Sequence, residues 1–330
     1  MNPDKYILID CDPGVDDCFA ITMALSQNPK VKVVGITCVN GNVNIKQVAI
    51  NTVKTVKLCG MLDQVPIFKG CGDPVIIMPG AIDSTAFHGK DGMGDVPDVE
   101  PRADEKLLEH VQEEHGVNAI MRLAKEYEGK LEILAIGPLT NIAIAVRLDP
   151  DLTKRLKALH ILGGTLRGHR NITPCSEYNF YVDPEAAQMT LRSFSKHCLV
   201  RLVTYETTLD HAVPVDWLDQ LLNGKDKKRT FFREIYKRCQ NIQLHKISEG
   251  LLRGYTICDI YAVCVALEPN CVKKSRKLRM GVELGGHLAR GSLIIDHRNK
   301  GSPFLTEGTI EVIEEICLVQ LKDMLARAFS

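Results

Sequence analysis

The 330-residue chain has no excess of charge of either sign: Lys plus Arg and Asp plus Glu are each 41, for a formal net charge of zero. A nucleic-acid partner would call for a clear basic surplus, so none is expected. Charge runs such as Lys225 to Arg229 read as solvated helix or loop faces. Twelve cysteines are present, but none form a CxxC pair or a short Cys/His cluster. That argues against zinc and against a disulfide framework, and it suits a reducing compartment where Cys serves as a small apolar residue. No apolar run reaches the roughly 20 residues of a membrane span, and the N-terminus lacks the charged, apolar and small-residue succession of a secretory signal. The expectation is a cytoplasmic protein without membrane contact. Repeats, low-complexity tracts and linkers are also missing, so residues 1–330 are expected to form one domain.

What the chain does have is an alternation of short apolar runs and helical patterns. Tyr6 to Ile9 has the length and β-branched content of a buried strand, Pro13 and Gly14 turn the chain, and Phe19, Ala20, Met23, Ala24 and Leu25 follow at helical spacing. Val31 to Val39, Val65 to Phe68, Leu131 to Ile136, Ala158 to Leu162 and Leu199 to Val203 read as further strands, with helical patterns between most of them. Such alternation predicts an α/β fold: a Rossmann-like, open, mostly parallel sheet with helices on both faces. Val215 to Leu252 reads as mostly helical, the tail from Leu278 to Val312 as shorter strands, and together they predict a smaller helical and strand extension. A last amphipathic helix carries Leu318, Leu321, Leu325 and Phe329. Two long polar stretches, Gly70 to Asp104 and Thr165 to Tyr181, interrupt the alternation and are better explained by function than by simple connection.

The first strand ends in four carboxylates, Asp10, Asp12, Asp16 and Asp17. Several acids on one loop need a cation, a shared proton or solvent to be tolerated. An oxygen-only donor set points to a hard cation, with calcium and magnesium both suitable. Any one of these acids could instead cap the following helix, but open α/β sheets place ligands at the carboxyl ends of strands, which favours a site.

Four separated segments, in order, carry a resemblance: DCDPGVDD after the first strand, IGPLTNIA in the middle, NITPCSEYNFYVDPEAA after a Gly-Gly turn, and a late apolar helix bearing Asp259. Together they resemble the nucleoside hydrolases of inosine-uridine type over most of the chain. The resemblance implies an N-ribohydrolase that splits a ribonucleoside into ribose and free base with the help of a calcium ion. It implies Asp12, Asp17 and Asp259 as side-chain ligands, the backbone carbonyl of Ile136 as another, and Asp10 as a supporting neighbour. Asp16 would be the general base. Asn42, Asn171, Glu177, Asn179 and Asp259 would hold the ribose, with His88 lining the pocket. A homodimer or homotetramer is also implied. The chemistry agrees, because nearby anions favour an oxocarbenium-like state and a carboxylate can take a proton from water.

The residue before the late Asp is Cys258, where one branch of the family has a His that protonates the leaving base and another has a Trp. The chain looks like the Cys-bearing branch. We take Cys258 to touch the base, with purine nucleosides slightly favoured because their rings accept a proton more readily. His88, Tyr181, Trp217, His245 and Tyr255 are further candidates for assisting departure. Two other readings compete. A ribonucleoside or ribose sensor would keep the binding residues without catalysis, but it needs no acid at Asp16. A phosphatase of haloacid dehalogenase type also starts from a strand ending in DxD, but it wants Thr or Val two residues past the second Asp. Here Pro13 and Gly14 intervene before Val15.

Overall fold

The computed structural model describes residues 3–27, 29–78, 84–168, 172–297 and 302–330. Eleven strands are present among them: β1 (Lys5–Cys11), β2 (Val31–Cys38), β3 (Ile67–Lys69), β4 (Val111–Gln112), β5 (Leu131–Ala135), β6 (Ala158–Leu162), β7 (Leu199–Val203), β8 (Val272–Leu278), β9 (Met280–Val282), β10 (Leu293–Ile295) and β11 (Ile310–Ile316). Nine make one sheet in the order β4-β3-β2-β1-β5-β6-β7-β11-β8, while β9 and β10 form a small antiparallel pair. All neighbours in the large sheet are parallel except β8, which runs antiparallel to β11. This is the α/β architecture expected from the alternation.

Strand order fixes where a ligand can sit. From β1 the chain builds outward through β2, β3 and β4, then returns to lay β5 on the other side of β1. Loops leaving the carboxyl ends of β1 and β5 therefore diverge, and a crevice opens between them. Helices cover both faces. One face carries the helices Val15–Leu25, Ile45–Leu58, Lys227–Ser248, Asp259–Leu267 and Leu318–Arg327; the other carries Gly116–Glu126, Thr140–Leu148 and Pro184–Phe194. Central strands buried on both sides read as mostly apolar runs, and β1, β5 and β6 do so, β5 and β6 each interrupted by one buried polar residue, Glu132 and His160.

The Val15–Leu25 helix is buried at every position but Asp16. Phe19 stacks against Phe232 and Tyr236 of the Lys227–Ser248 helix at centroid separations of 4.4 and 5.7 Å. That aromatic contact pins the long helix across the top of the first one, where it walls the crevice. The pattern reading misses two strands, β8 and the two-residue β4. β8 starts at Val272, before the expected Leu278, and it is the sheet's edge, with Lys273, Lys274, Arg276 and Lys277 along it. An exposed edge strand has no apolar face to betray it, and its lysines deter pairing with another chain. Among the described residues no helix is long and apolar enough to cross a membrane.

Candidate active site

The acids of the first strand divide between two sides of the turn. Asp10 is fully buried within β1, and its Oδ1 accepts hydrogen bonds from Thr37 Oγ1 at 2.6 Å and Asn141 Nδ2 at 2.8 Å. Asn141 also donates to the Cys38 carbonyl, so Asp10 ties β1 to β2 and to the helix after β5. Asp17 does cap its helix, accepting from the backbone N–H of Gly14 at 3.0 Å and of Asp12 at 3.2 Å, yet it also lines the central cavity. Capping and ligand binding are therefore one arrangement at this residue.

Asp12 lies beneath Asp17, outside the cavity lining. Its Oδ2 accepts the Asn42 N–H at 2.7 Å, while its Oδ1 is buried without a hydrogen-bond partner. Two glycines make room for this carboxylate. A Cβ at Gly137 would stand 2.7 Å from Asp12 Oδ1, and one at Gly41 would overlap Asp12 Oδ2. Both glycines follow the carboxyl ends of strands, and neither was singled out from the sequence.

The cavity occupies about 280 Å³ at the β1/β5 crevice. Asp16, Asp17, Asn42, His88, Ile136, Glu177, Asn179, Cys258 and Asp259 all line it. Asn171 lies outside the described residues. Asn42 is no mere turn residue: it is buried, and its Nδ2 donates to the Asp12 carbonyl and to Asp17 Oδ2, each at 3.3 Å. Asn179 Nδ2 donates to the carbonyl of Ile136 at 2.9 Å, so one lone pair of that oxygen is already engaged. Glu177 is held by the backbone N–H groups of Gly164, Asn179 and Phe180. His88 Nδ1 accepts the Val15 N–H at 3.2 Å, which leaves the ring proton on Nε2, 3.8 Å from Asp16 Oδ1. Burial keeps His88 below the usual histidine range, hence neutral.

Apart from Lys246 on its wall, the side chains that bring charge to this cavity are acids. Burial, then repulsion from Asp16, raises Asp17 to about 8. Burial with repulsion from Asp17 pushes Asp12 well above the carboxylate range, and burial with Asp16 and Asp17 does the same to Asp259. Glu177 is raised by burial to about 7 in spite of its three N–H donors. Carboxylate oxygens of Asp16, Asp17 and Asp259 come within 4.8 Å of one another, and Asp12 and Asp16 each carry a buried oxygen without a hydrogen bond. Orphaned acceptors beside crowded acids, with only oxygen donors, fit a hard divalent cation.

Burial and the neighbouring Asp16 push the Cys258 thiol up, so it stays protonated at neutral pH; its Sγ lies 3.7 Å from Thr208 Oγ1. Of the five other groups considered for assisting the base, only His88 lines the cavity. His245 is on the solvent face of its helix, 74% exposed and paired with Glu249. Trp217 packs under Lys322, and Tyr255 is bound to Asp219 and Gln240. Tyr181 is likewise not part of the lining. The walls come instead from Phe87, Tyr178, Tyr205, Gln243, Lys246 and Thr256. Tyr205 follows the carboxyl end of β7, the one position among these that strand-end reasoning could have flagged.

Acids that could hold a cation line a cavity of about 280 Å³ at the switch point of a parallel sheet, the place where α/β proteins bind small ligands. The family model of the inosine-uridine preferring nucleoside hydrolases matches residues 7–322, and the chain belongs to that family. It is thus an N-ribohydrolase, a hydrolase of ribonucleoside N-glycosyl bonds. The chain is 30% identical over 296 residues to the inosine-uridine preferring nucleoside hydrolase of Crithidia fasciculata, covering 89% of each chain. It is 33% identical over 256 residues to uridine nucleosidase 1 of Arabidopsis thaliana, covering 76% of this chain and 70% of that one. A solved inosine-guanosine nucleoside hydrolase superposes with a TM-score of 0.85 at 27% identity, over 98% of both chains.

Proposed function

We propose that the protein hydrolyses purine ribonucleosides in preference to pyrimidine ones, with a bound calcium ion and Asp16 as general base. The observation that carries this is Asp16 itself. It is the one residue of its helix that is not buried, it lines the cavity, and its Oδ1 accepts no hydrogen bond. A carboxylate left free beside a closed set of acids is placed to take a proton from water.

Asp12 through its orphaned oxygen, Asp17, Asp259 and the Ile136 carbonyl would hold the calcium, with Asp10 bracing β1 from behind. When bound, the ion supplies a positive centre that neutralises these acids and polarises oxygen ligands. The chain's own groups do the rest. Asn42, Glu177 and Asn179 offer amide and carboxylate partners to the ribose hydroxyls, and Asn171 and Asp259 join them in this reading. As the C1′–N bond breaks, its electron pair goes to the base and positive charge builds on the sugar, where the surrounding carboxylates favour it. Water oxygen bonds to C1′ and its proton passes to Asp16. Cys258 presents a neutral thiol to the base. The aromatic walls Phe87, Tyr178 and Tyr205 and the likeness to an inosine-guanosine enzyme support a purine. A cytoplasmic location and a homodimer or homotetramer complete the reading.

Ribose release from inosine, uridine, cytidine and 5-methyluridine in the presence of calcium tests it. Inosine should be the best substrate, and Asp16→Asn should lower its turnover by about 10³-fold while substrate still binds. Tight binding without ribose in the unmodified protein would favour the sensor reading and sink this one.

A further inference from the structure

The departing base carries developing negative charge, and the residues assigned so far offer it only neutral donors, the Cys258 thiol and the His88 ring. The base leaves with an extra electron pair, in a chamber whose Asp16, Asp17, Glu177 and Asp259 are all acids. Its histidine is neutral and its thiol stays protonated. One lining residue carries standing positive charge at neutral pH, and that is Lys246.

Its placement is built by the fold. Lys246 sits in the last turn of the Lys227–Ser248 helix, three residues after Gln243 and so on the same side of the helix. Gln243 is buried and locked to the segment before the Asp259–Leu267 helix. Its Oε1 accepts the Thr256 N–H at 2.6 Å and its Nε2 donates to the Thr256 carbonyl at 3.2 Å. This clamp fixes the helix one turn before Lys246 against the stretch that leads into Cys258 and Asp259. The Lys246 carbonyl then accepts the N–H groups of Leu251 and Leu252, folding the chain back so that Leu252 lines the cavity beside it. The Lys246 side chain is exposed at the mouth, and among the described residues its ammonium has no ion-pair or hydrogen-bond partner. A lysine in the last turn also complements the helix dipole. That role requires neither a position on the cavity wall nor a free ammonium.

We propose that Lys246 is the leaving-group residue, donating from Nζ to the ring nitrogen or carbonyl oxygen of the base as the C1′–N bond breaks. This rests on the hydrolase reading above. The bond pair moves to the base, Nζ–H supplies the proton the base needs, and the amine recovers its proton from solvent. Water oxygen ends on C1′ and the water proton on Asp16, so the step balances without a further reactant.

The test compares leaving groups. Lys246→Met and Lys246→Arg are assayed on inosine, on uridine, and on 4-nitrophenyl β-ribofuranoside, whose nitrophenolate departs without a proton. Lys246→Met should lower kcat on inosine and uridine by about 100-fold and on the nitrophenyl riboside by less than about 3-fold. Lys246→Arg, which keeps the charge but does not give up a proton, should recover little of the loss, and full recovery by Arg would overturn the proton transfer. An equal fall on all three substrates, or no fall on the nucleosides, overturns the assignment while the hydrolase reading stands. An unmodified protein that cleaves none of the three overturns both.

Discussion

Acids are buried at both ends of the central sheet, and the two ends treat them in opposite ways. At the amino end, Glu132 of β5 is 4% exposed and accepts from Lys157 Nζ and His160 Nε2, both at 2.8 Å. Burial alone would raise it, but those hydrogen bonds together outweigh burial and hold it at about 2. His160 is kept by burial below the usual histidine range, so it acts as a neutral donor and Lys157 is the positive partner. At the carboxyl end, Asp10 and Glu177 are raised to about 7 and Asp17 to about 8, and no lysine or arginine pairs with them among the described residues. One end is completed by the chain's own cation. The other has no cation of the chain's own, so its acids need protons or a cation from outside, and this is the physical case for a metal site.

The strongest way to break that comparison is to remove an acid from the crowded end. Asp259→Asn should lower kcat/KM by about 10³-fold or more, because it deletes a proposed ligand and an anion facing the sugar. The same change should leave the metal-free protein at least as stable, since it removes a buried carboxylate that Asp16, Asp17 and Asp12 repel. Activity and metal-free melting temperature, measured on one preparation, decide it. A lower melting temperature would mean that Asp259 is already satisfied within the fold.

A smaller effect comes from pH. Asp10, Asp17 and Glu177 have folded-state values above their unfolded ones, so the folded state holds more protons than the unfolded one between about pH 4 and 8. Stability of the metal-free protein is therefore full below about pH 4 as far as these groups are concerned, and is lost as pH rises through 7 to 8. Calcium should restore it, contributing about 2.7 kcal/mol at a hundredfold excess over Kd. Thermal melts from pH 5 to 8.5 with and without calcium check the sign. A calcium shift as large at pH 5 as at pH 8 would show that the ion does not replace protons on these acids.

How much of this was legible in the sequence follows the same division. Strands β1, β5, β6 and β7 were readable because burial in the middle of the sheet writes a mostly apolar run, and β8 was not because the sheet's edge needs none. Asp12, Asp16 and Asp17 were readable as a cluster because they follow one strand end. Asp259, Glu177 and Asn179 lie more than 150 residues away and entered only through a resemblance spread over four segments. The far wall was not readable by either route. Gln243 and Lys246 are two polar residues on a polar helix, and only the Phe19 contact with Phe232 and Tyr236 shows which side of that helix meets the crevice. His245, adjacent in sequence and chemically more suggestive, turns out to face solvent.

The smallest expected effect tests the completed end. Glu132→Gln keeps the shape of the side chain and removes its charge, while Lys157, half exposed, stays solvated. The variant should lose about 2 kcal/mol near neutral pH, the cost of weakening two charge-assisted hydrogen bonds to a buried acceptor. Glu132 sits below its unfolded value, so its contribution is present above about pH 4.5 and fades as pH falls toward 2; the deficit should shrink over that window. Nucleoside turnover should change by less than about twofold. Glu132 and Ile136 stand four residues apart on and just beyond β5, roughly 13 Å at the rise of a strand. A large fall in turnover would therefore mean that the amino-end pair sets the position of the Ile136 carbonyl through β5, and that the two ends act as one unit.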